Sequence, residues 1–321
     1  MKICLVGPGI MTIPPAGWGA VESLIWDYNL ILKNIGHDVD IINNPDTNSI
    51  INEVNSKDYD FVHIHYDVFY PIIPHLNCKN IAISSHYPYV DQLHKHGYDG
   101  YQNIFRYLCD NKDFFLFCIS KKDMKAFIEN GADPDKTFLL ENGANSEHFR
   151  FNPECKLKGK SIYLGKIEER KRQYLFQSIP NIEFVGKFGS TIFDVTNSNY
   201  LGEVTPREKL FDMLTDYANL VLLSTGENGS PLVVKEAFCA GLGVVVSEFA
   251  ASELDIEKSF ITVIPESKIN DIDFIENEIS KNREVSVNMR DEIRKYFDDN
   301  FSWQDLVLRY IDNIKNIVNR G

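Results

Sequence analysis

Short apolar runs alternate with longer segments of helical period along the whole chain. Each run is rich in Val, Ile, Leu and Phe and is bounded by polar or turn-forming residues, as buried strands are. Strands that alternate with helices predict α/β domains in which parallel sheets carry helices on both faces. The predicted strands are Ile3–Val6, Val39–Ile42, Phe61–His65, Ile81–Ser84 and Phe115–Ile119 in the first half, and Ile162–Leu164, Ile182–Val185, Leu220–Leu223, Val244–Val246 and Phe260–Val263 in the second half.

Helices are predicted where apolar residues recur at three- and four-residue spacing and a glycine follows. The pattern from Val21 to Ile35 predicts the clearest helix, and a second covers about residues 121–130. The segment Phe149–Lys160 contains a proline and several lysines, so we predict a linker there. Residues 290–318 predict one or two amphipathic helices, with one apolar face formed by Trp303, Leu306, Tyr310 and Ile314.

The length, composition and charge of the chain indicate a soluble globular protein and argue against a DNA-binding one. The chain has 321 residues, which is enough for two α/β domains, and its 44% hydrophobic and 25% charged residues are typical of a soluble globular protein. Its net charge of −13 argues against binding to duplex DNA, and we expect no nucleic-acid partner. No apolar run reaches the roughly 20 residues of a membrane span, although peripheral membrane contact is compatible with the sequence.

The cysteines and the first nine residues indicate the cellular compartment of the protein. The six cysteines have no metal-ligand spacing, so we expect free thiols in a reducing compartment. The first nine residues, MKICLVGPG, predict a short strand that is too short for the apolar core of a signal peptide. We therefore expect a cytoplasmic protein, and its oligomeric state stays open.

The segment Thr225–Ser247 carries the strongest chemical signal. Ser230 is a good N-cap and Pro231 suits the first helical position, so a helix is predicted from there to Gly241, followed by a Val-rich strand. The free backbone N–H groups near Gly229 and Ser230 predict an anion site, and phosphate is the usual anion at such a helix start.

Glu236 is the single carboxylate inside this apolar helix, so it needs a polar partner. The segment resembles the signature of retaining glycosyltransferases of family 4, also called glycosyl transferases group 1, in Glu236-Ala237 and Gly241–Val246. The family places a first glutamate eight residues before the second, whereas Glu227 precedes Glu236 by nine. Either Glu227 or Asn228 therefore fills the first acidic position. Without the resemblance, the segment is equally typical of a core helix with an ion-paired glutamate.

The resemblance implies the GT-B fold, with two facing Rossmann-like, doubly wound parallel-sheet domains. We expect an acceptor-side domain over residues 1–150 and a nucleotide-sugar-binding domain over residues 151–295. The C-terminal helix, residues 296–321, would pack back on the first domain. In the family, the residue matching Glu236 holds the ribose hydroxyls of the nucleotide, and the first acid contacts the sugar and its phosphate.

Two lysines follow a predicted strand in the segment Gly165–Lys171. The family has a basic residue directly after the glycine and a lysine five positions later, and Lys166 and Lys171 match both. The resemblance implies that both contact the donor diphosphate, where cations stabilise the leaving group. Taken alone, the run KIEERKR is also typical of a solvated charged surface.

Two further segments match family features in the first half. Gly19, between the first strand and the first helix, matches the family's glycine loop, which approaches a ligand closely. His86, after the strand Ile81–Ser84, matches a histidine that lies against the donor sugar. Three aromatic residues near these segments are candidates to stack on an acceptor sugar, although buried aromatics fit the sequence equally well: Trp18, Tyr87 and Tyr89.

Patterns that suggest a metal are incomplete. His63, His65 and Asp67 alternate on a predicted strand and share one face, but no later histidine cluster completes a ligand set. The Asp133/Asp135 pair lies beside a proline and predicts a turn. We therefore expect no metal site and no cofactor.

The function predicted from the resemblance is the transfer of a sugar from a nucleotide diphosphate sugar, a UDP- or GDP-sugar, to a hydroxyl of a carbohydrate, lipid or other acceptor. The alternatives are a nucleotide-sugar epimerase or phosphorylase on the same fold, and a nucleotide-sugar-binding protein that has lost catalysis. A transferase that acts on modified DNA bases is a further alternative. The donor sugar, the nucleotide base and the acceptor are not specified by the sequence.

Overall fold

The computed structural model describes residues 1–227 and 231–320, apart from the side chain of Arg320. The chain divides into two compact units. Unit 1 contains Met1–Pro15, Gly19–Glu141 and the residues from Gln304 onward, and unit 2 contains Ala16–Trp18 and Asn142–Trp303.

Unit 1 is built on a parallel six-stranded sheet. Its strands are β1 (Lys2–Val6), β2 (Asp38–Ile42), β3 (Phe61–Ile64), β4 (Ile81–Ser84), β5 (Phe115–Cys118) and β6 (Thr137–Leu139), in the order β2-β1-β3-β4-β5-β6. The helices that connect them are α1 (Ala20–Asn34), α2 (Thr47–Asn55), α3 (Gln102–Cys109) and α4 (Lys121–Glu129). The chain winds outward from β1 in both directions, so the loops after β1 and β3 diverge at one edge of the sheet.

Unit 2 repeats this organisation. Its main sheet is parallel, in the order β11-β9-β7-β12-β13-β14, and a second sheet pairs β10 with β8. The strands are β7 (Leu157–Leu164), β8 (Ile167–Glu168), β9 (Ile182–Val185), β10 (Phe188–Ser190), β11 (Tyr200–Gly202), β12 (Tyr217–Leu222), β13 (Gly243–Ser247) and β14 (Ile261–Ile264). The helices of unit 2 are α5 (Glu208–Leu214), α6 (Leu232–Cys239), α7 (Ile272–Asn288) and α8 (Arg290–Asn300). The last helix, α9 (Trp303–Arg320), belongs to unit 1 from Gln304 onward.

The ten predicted strands are confirmed, with ends that differ by up to five residues. The predicted linker is wrong at its end, because Leu157–Lys160 already belong to β7. Lys158 and Gly159 are exposed there, so this half of the strand has a polar sequence. Pro231 is the N-cap of α6 with an extended ψ of 127°, and not the first helical residue as predicted.

The C-terminal segment forms two helices, α8 and α9, and one face of α9 is apolar as predicted. Its four predicted core residues are all buried: Trp303, Leu306, Tyr310 and Ile314. Among the described residues, no helix combines the length and the apolar character that are needed to cross a membrane.

Arg290, the first residue of α8, ties three parts of unit 2 together. Its buried guanidinium donates to the carbonyl oxygens of Asn152 (2.8 Å), Thr215 (2.6 Å), Tyr217 (3.1 Å) and Ala240 (3.0 Å), and also to the Thr215 hydroxyl (2.8 Å). Ala240 is the C-cap of α6, and Tyr217 begins β12. The two elements that frame the predicted anion site are therefore joined at the far end of the sheet.

Candidate functional site

The candidate site of unit 2 lies where its main sheet changes winding direction. β7 and β12 are neighbours, and the chain continues from β7 toward β9 but from β12 toward β13. Ligands of open α/β sheets bind beside such a point, outside the carboxyl ends of the strands. The segment that contains Arg170, which follows β7 and β8, contacts the loop that follows β12. The Thr225 N–H donates to the Arg170 carbonyl oxygen at 2.9 Å, and the Arg170 guanidinium donates to the Gly226 carbonyl oxygen.

A chain of alternating charges runs through these loops. The Lys171 ammonium donates to the Glu227 carboxylate, which also accepts from Arg170 at 3.2 Å. Arg170 is paired in addition with Glu168 at 2.9 Å, and Glu168 lies 3.6 Å from the Lys166 ammonium. Three cations therefore meet two carboxylates, and this excess of positive charge favours an anionic ligand.

Burial makes the Lys171–Glu227 pair electrostatically strong. The two side chains are only 11% and 10% exposed. Burial alone would raise the pKa of Glu227, but the charges of Lys171 and Arg170 outweigh it and the pKa lies below its usual value. Burial lowers the pKa of Lys171 although Glu227 opposes this shift, and the charge of Arg170 acts in the same direction as burial. A second anion beside Lys171 would stabilise its ammonium form further.

Glycines permit the close packing of the loops around Lys166. Gly165 has a φ of 149° and Gly186 a φ of 151°, a region that favours glycine. A Cβ at Gly186 would lie 2.0 Å from the Gly165 carbonyl oxygen, so the loops after β7 and β9 touch through their backbones. This contact fixes the residue that follows Gly165, which is Lys166.

Trp18 lies among the charged residues of unit 2. Its ring centroid is 5.1 Å from the Lys166 ammonium and 5.6 Å from the Lys187 ammonium, and its backbone N–H donates to Glu203 at 3.2 Å. The indole face attracts both cations. Trp18 is thus placed beside one of the two predicted diphosphate lysines.

Glu236 has the polar partner that its burial requires. It points from α6 to Arg207, whose Nη2 donates to Glu236 Oε1. The side chain is 6% exposed, and its other oxygen, Oε2, is buried without a hydrogen-bond partner in residues 1–227 and 231–320. The residue therefore presents one satisfied and one open acceptor.

Three residues of the predicted anion site fall outside the described part of the chain. They are Asn228, Gly229 and Ser230. The predicted phosphate contacts at this helix start, and the choice between Glu227 and Asn228, stay predictions.

In unit 1, Gly19 occupies the N-cap position of α1 with a φ of 142°. Glu22, in the first turn of the same helix, is buried, and its burial raises the pKa of its carboxyl above the usual value. The first turn of α1 thus already contains a carboxyl group beside the glycine that the sequence assigns to ligand binding.

His86 belongs to a buried group of three histidines in unit 1, which we call the histidine cluster (His63, His65 and His86). The ring centroids of His63 and His65 are 4.0 Å apart, and those of His65 and His86 are 6.1 Å apart. Burial lowers the pKa of His63 to about 3 and that of His86 to about 4, so both are neutral near pH 7. In the described chain, His86 Nε2 and both ring nitrogens of His65 have no hydrogen-bond partner.

His63 differs from its neighbours because both of its ring nitrogens are satisfied. They contact the Tyr310 hydroxyl at 2.8 Å and the Ser84 hydroxyl at 2.9 Å. No group of three or more His, Cys, Asp or Glu within the described residues has the geometry of a metal site. Asp67 instead accepts a hydrogen bond from Ser85 at 2.6 Å.

The two tyrosines predicted for acceptor stacking lie in unit 1. Tyr87 is stacked on Tyr101 with centroids 3.9 Å apart, and its hydroxyl donates to Asp99 at 2.7 Å. The Lys95 ammonium lies 4.0 Å from the Tyr89 ring centroid. Each ring therefore already has a partner on one face.

The structure thus brings Lys166, Lys171 and Glu227 into one charged network, as the strand-end positions predict. Glu236 contacts Arg207 instead, and His86, Gly19 and the two tyrosines belong to unit 1. Sequence reasoning missed three cations of unit 2, namely Arg170, Lys187 and Arg207. Arg170 lies between the two predicted lysines, and the need of Glu236 for a cation was the only signal for Arg207.

The sequence matches no protein-family profile and no curated protein. Solved structures are similar over the whole length of the chain. A sucrose-phosphate synthase from Thermosynechococcus elongatus is 14% identical, with a TM-score of 0.80 and 100% of both chains covered. Anabaena HepE in complex with UDP-glucose is 12% identical, with a TM-score of 0.74 and coverage of 98% of this chain and 100% of HepE.

A third similar structure is AviGT4, a glycosyltransferase involved in avilamycin A biosynthesis. It is 14% identical, with a TM-score of 0.73 over 100% of this chain and 99% of AviGT4. At such low identity the likeness shows the fold alone, and it agrees with the two parallel six-stranded sheets described above. The chain therefore has the GT-B fold that these glycosyltransferases share.

Proposed function

We propose that this protein is a retaining glycosyltransferase that takes its sugar from a nucleotide diphosphate sugar and requires no metal ion. The observation that supports this most is the network of Lys166, Arg170 and Lys171 at the switch point of the unit 2 sheet. A diphosphate carries negative charge, and this network has an excess of positive charge in a partly buried setting. The whole-length likeness to HepE with UDP-glucose supports a UDP-sugar, with a GDP-sugar as the alternative.

In the proposed complex, Lys166 and Lys171 contact the diphosphate. Lys171 donates to Glu227, but an ammonium has three donors, so the contact does not exhaust its capacity. Glu227 then has two roles in the proposal. It orients Lys171 and Arg170 by accepting hydrogen bonds from both, and it contacts the donor sugar. Glu236 accepts from the ribose through Oε2, the oxygen that has no partner in the described chain.

The proposed step exchanges one bond at the anomeric carbon of the donor sugar. The bond from that carbon to the diphosphate oxygen breaks, and a bond to the acceptor hydroxyl oxygen forms on the same face. The hydroxyl proton passes to a phosphate oxygen of the leaving diphosphate. The lysines stabilise the charge that develops there, which is the main requirement for this type of transfer. We propose that His86, neutral by virtue of its burial, contributes a hydrogen bond to the sugar.

Thermal-shift screening with UDP, GDP and their glucose and mannose conjugates tests the donor. We expect one nucleotide to raise the melting temperature with no added metal and in the presence of EDTA. Incubation with the matching nucleotide sugar and a panel of sugar acceptors should then release the nucleoside diphosphate and form a product with the anomeric configuration of the donor. A change of the sugar without transfer would instead indicate an epimerase.

Paired lysine variants test the assignment of the site. Lys171→Met should weaken binding of the nucleoside diphosphate roughly 10- to 100-fold, because a charged hydrogen bond contributes about 1.5–3 kcal/mol. Lys268→Met is the matched control, since Lys268 makes an exposed ion pair with Asp271 at 3.0 Å. Equal affinities of the two variants would contradict the proposed diphosphate site.

A further inference from the structure

Arg207 is the cation that pairs with Glu236, the carboxylate proposed to bind the ribose. Neither the resemblance nor the sequence pattern assigns Arg207 a role. It is the residue before α5, and it reaches 29 positions along the chain to Glu236. Its guanidinium carbon lies 5.5 Å from the ring centroid of Phe211, which itself stacks on His148 with centroids 5.3 Å apart. The guanidinium of Arg207 is thus held by two contacts, one with an aromatic ring and one with a carboxylate.

Only one of the two carboxylate oxygens of Glu236 has a hydrogen-bond partner within the described residues. Arg207 donates to Oε1, whereas Oε2 of Glu236 is buried and has no partner in the described chain. A buried acceptor without a donor is unfavourable, and native structures retain such groups mainly where a ligand or water completes them. Because the pairing fixes which oxygen is occupied, it also fixes the direction in which the open oxygen points.

We propose that Arg207 is a positioning residue that orients Glu236 so that Oε2 accepts a hydrogen bond from the hydroxyls of a ribonucleotide. This inference rests on the proposed function. It adds that discrimination between ribose and deoxyribose depends on the Arg207–Glu236 pair and not on Glu236 alone. A planar guanidinium restricts the orientation of a carboxylate more than the rotating ammonium of a lysine does.

The test compares affinities for UDP and GDP with those for their 2′,3′-dideoxy forms, measured by titration calorimetry. The quantity of interest is the ratio of the two dissociation constants for one base, which cancels the contributions of base and diphosphate. We expect the wild-type protein to prefer the ribo form at least tenfold. Glu236→Gln and Arg207→Met should each reduce the ratio to less than threefold, and Arg207→Lys should restore only part of it.

Arg294→Met is the matched control. Its guanidinium also lies over a phenyl ring, that of Phe297 at 5.4 Å, and also pairs with a carboxylate, Asp298 at 3.1 Å. The control should retain the wild-type ratio, because it removes a contact to Cys239, the last residue of α6, rather than the contact to Glu236. If Arg207→Met does not fold, Arg207→Gln replaces it and should likewise reduce the ratio to less than threefold, because the shorter, uncharged amide does not restrict the carboxylate as the guanidinium does.

Three results would overturn the inference, and they separate it from the proposed function. If neither nucleotide binds, both ideas fail. If a nucleotide binds with no preference for ribose, the role of the pair fails while the donor site stands. If the Arg207 variants keep the wild-type ratio while Glu236→Gln loses it, Glu236 acts without Arg207.

Discussion

Replacement of Arg290 by methionine should destabilise unit 2 without touching the charged network at the other end of the sheet. The buried guanidinium donates to four backbone carbonyl oxygens and one hydroxyl. Methionine fills a similar volume but offers no donor, so these acceptors would lose their partner in a site that water does not reach. Burial lowers the pKa of the arginine, but such a group keeps its charge under ordinary conditions.

The size of the effect follows from the number and kind of these bonds. Each charge-assisted hydrogen bond contributes about 1.5–3 kcal/mol when it is measured singly, but bonds to one group are not additive. A buried acceptor that is left without a donor costs about 1–3 kcal/mol, and several acceptors lose their donor here. We therefore expect the free energy of unfolding of unit 2 to fall by about 4 kcal/mol.

Guanidinium chloride unfolding, followed by circular dichroism, measures this loss. With a slope of about 4 kcal/mol per molar denaturant, the midpoint should fall by roughly 1 M. Lys295→Met is the control, because Lys295 is 75% exposed and its pair with Asp299 should contribute less than about 1 kcal/mol. A loss below about 1 kcal/mol for Arg290→Met would show that the guanidinium does not hold α6 and β12 together.

Three further predictions concern the loops and the histidine cluster. Gly186→Ala should lower the free energy of unfolding by about 2 kcal/mol or more, because the φ of 151° disfavours alanine and its Cβ would lie 2.0 Å from the Gly165 carbonyl oxygen. An unchanged melting temperature would refute the close contact of the loops. Tyr310→Phe removes the partner of His63 at 2.8 Å and should cost about 1–3 kcal/mol; no change in the denaturation midpoint would contradict that bond. Burial lowers the pKa of all three histidines of the cluster below that of an unfolded histidine. The free energy of unfolding should therefore be constant above about pH 6.5 and fall as the pH drops below it, by roughly 2 kcal/mol each for His63 and His86 at pH 5. Denaturation at pH 7 and pH 5 should show a smaller difference for His63→Asn than for the wild type and the exposed control His75→Asn; equal differences would argue against the cluster as the cause.

Much of the fold could be predicted because its determinants are local. A buried parallel strand such as β13 has a continuous apolar sequence, GVVVS, and helix α1 has an apolar stripe that ends before Gly36. The strand β6 was missed because it has only three residues, and α7 was missed because its polar residues hide a narrow apolar face. Where local sequence did not match burial, as in the exposed start of β7, the predicted boundary was wrong.

The candidate site could be predicted only in part, because its contacts depend on chain topology. Lys166 and Lys171 were found by their position after a strand and by family spacing. Arg207 could not be found in this way, since the sequence TPREK around it is typical of an exposed helix start. Its proposed role depends on the start of α5 lying within reach of Glu236 on α6, which is a property of the fold and not of either segment.

The two glutamates that the sequence pairs by spacing are held in different ways. Glu227 accepts from both Lys171 and Arg170 through the same oxygen, Oε1, so two cations are gathered on one carboxylate. Glu236 accepts from a single cation, and its second oxygen is open. An oxygen shared by two cations is a weak acceptor for a further neutral hydroxyl, because its lone pairs are already engaged. In the proposed function, Glu227 therefore places positive charge beside the diphosphate through Oε1, and Glu236 accepts a hydrogen bond from the ribose through Oε2. This role is compatible with the nine-residue spacing between Glu227 and Glu236. A carboxylate that acts by placing cations can vary in position more than one that acts by direct contact with the sugar.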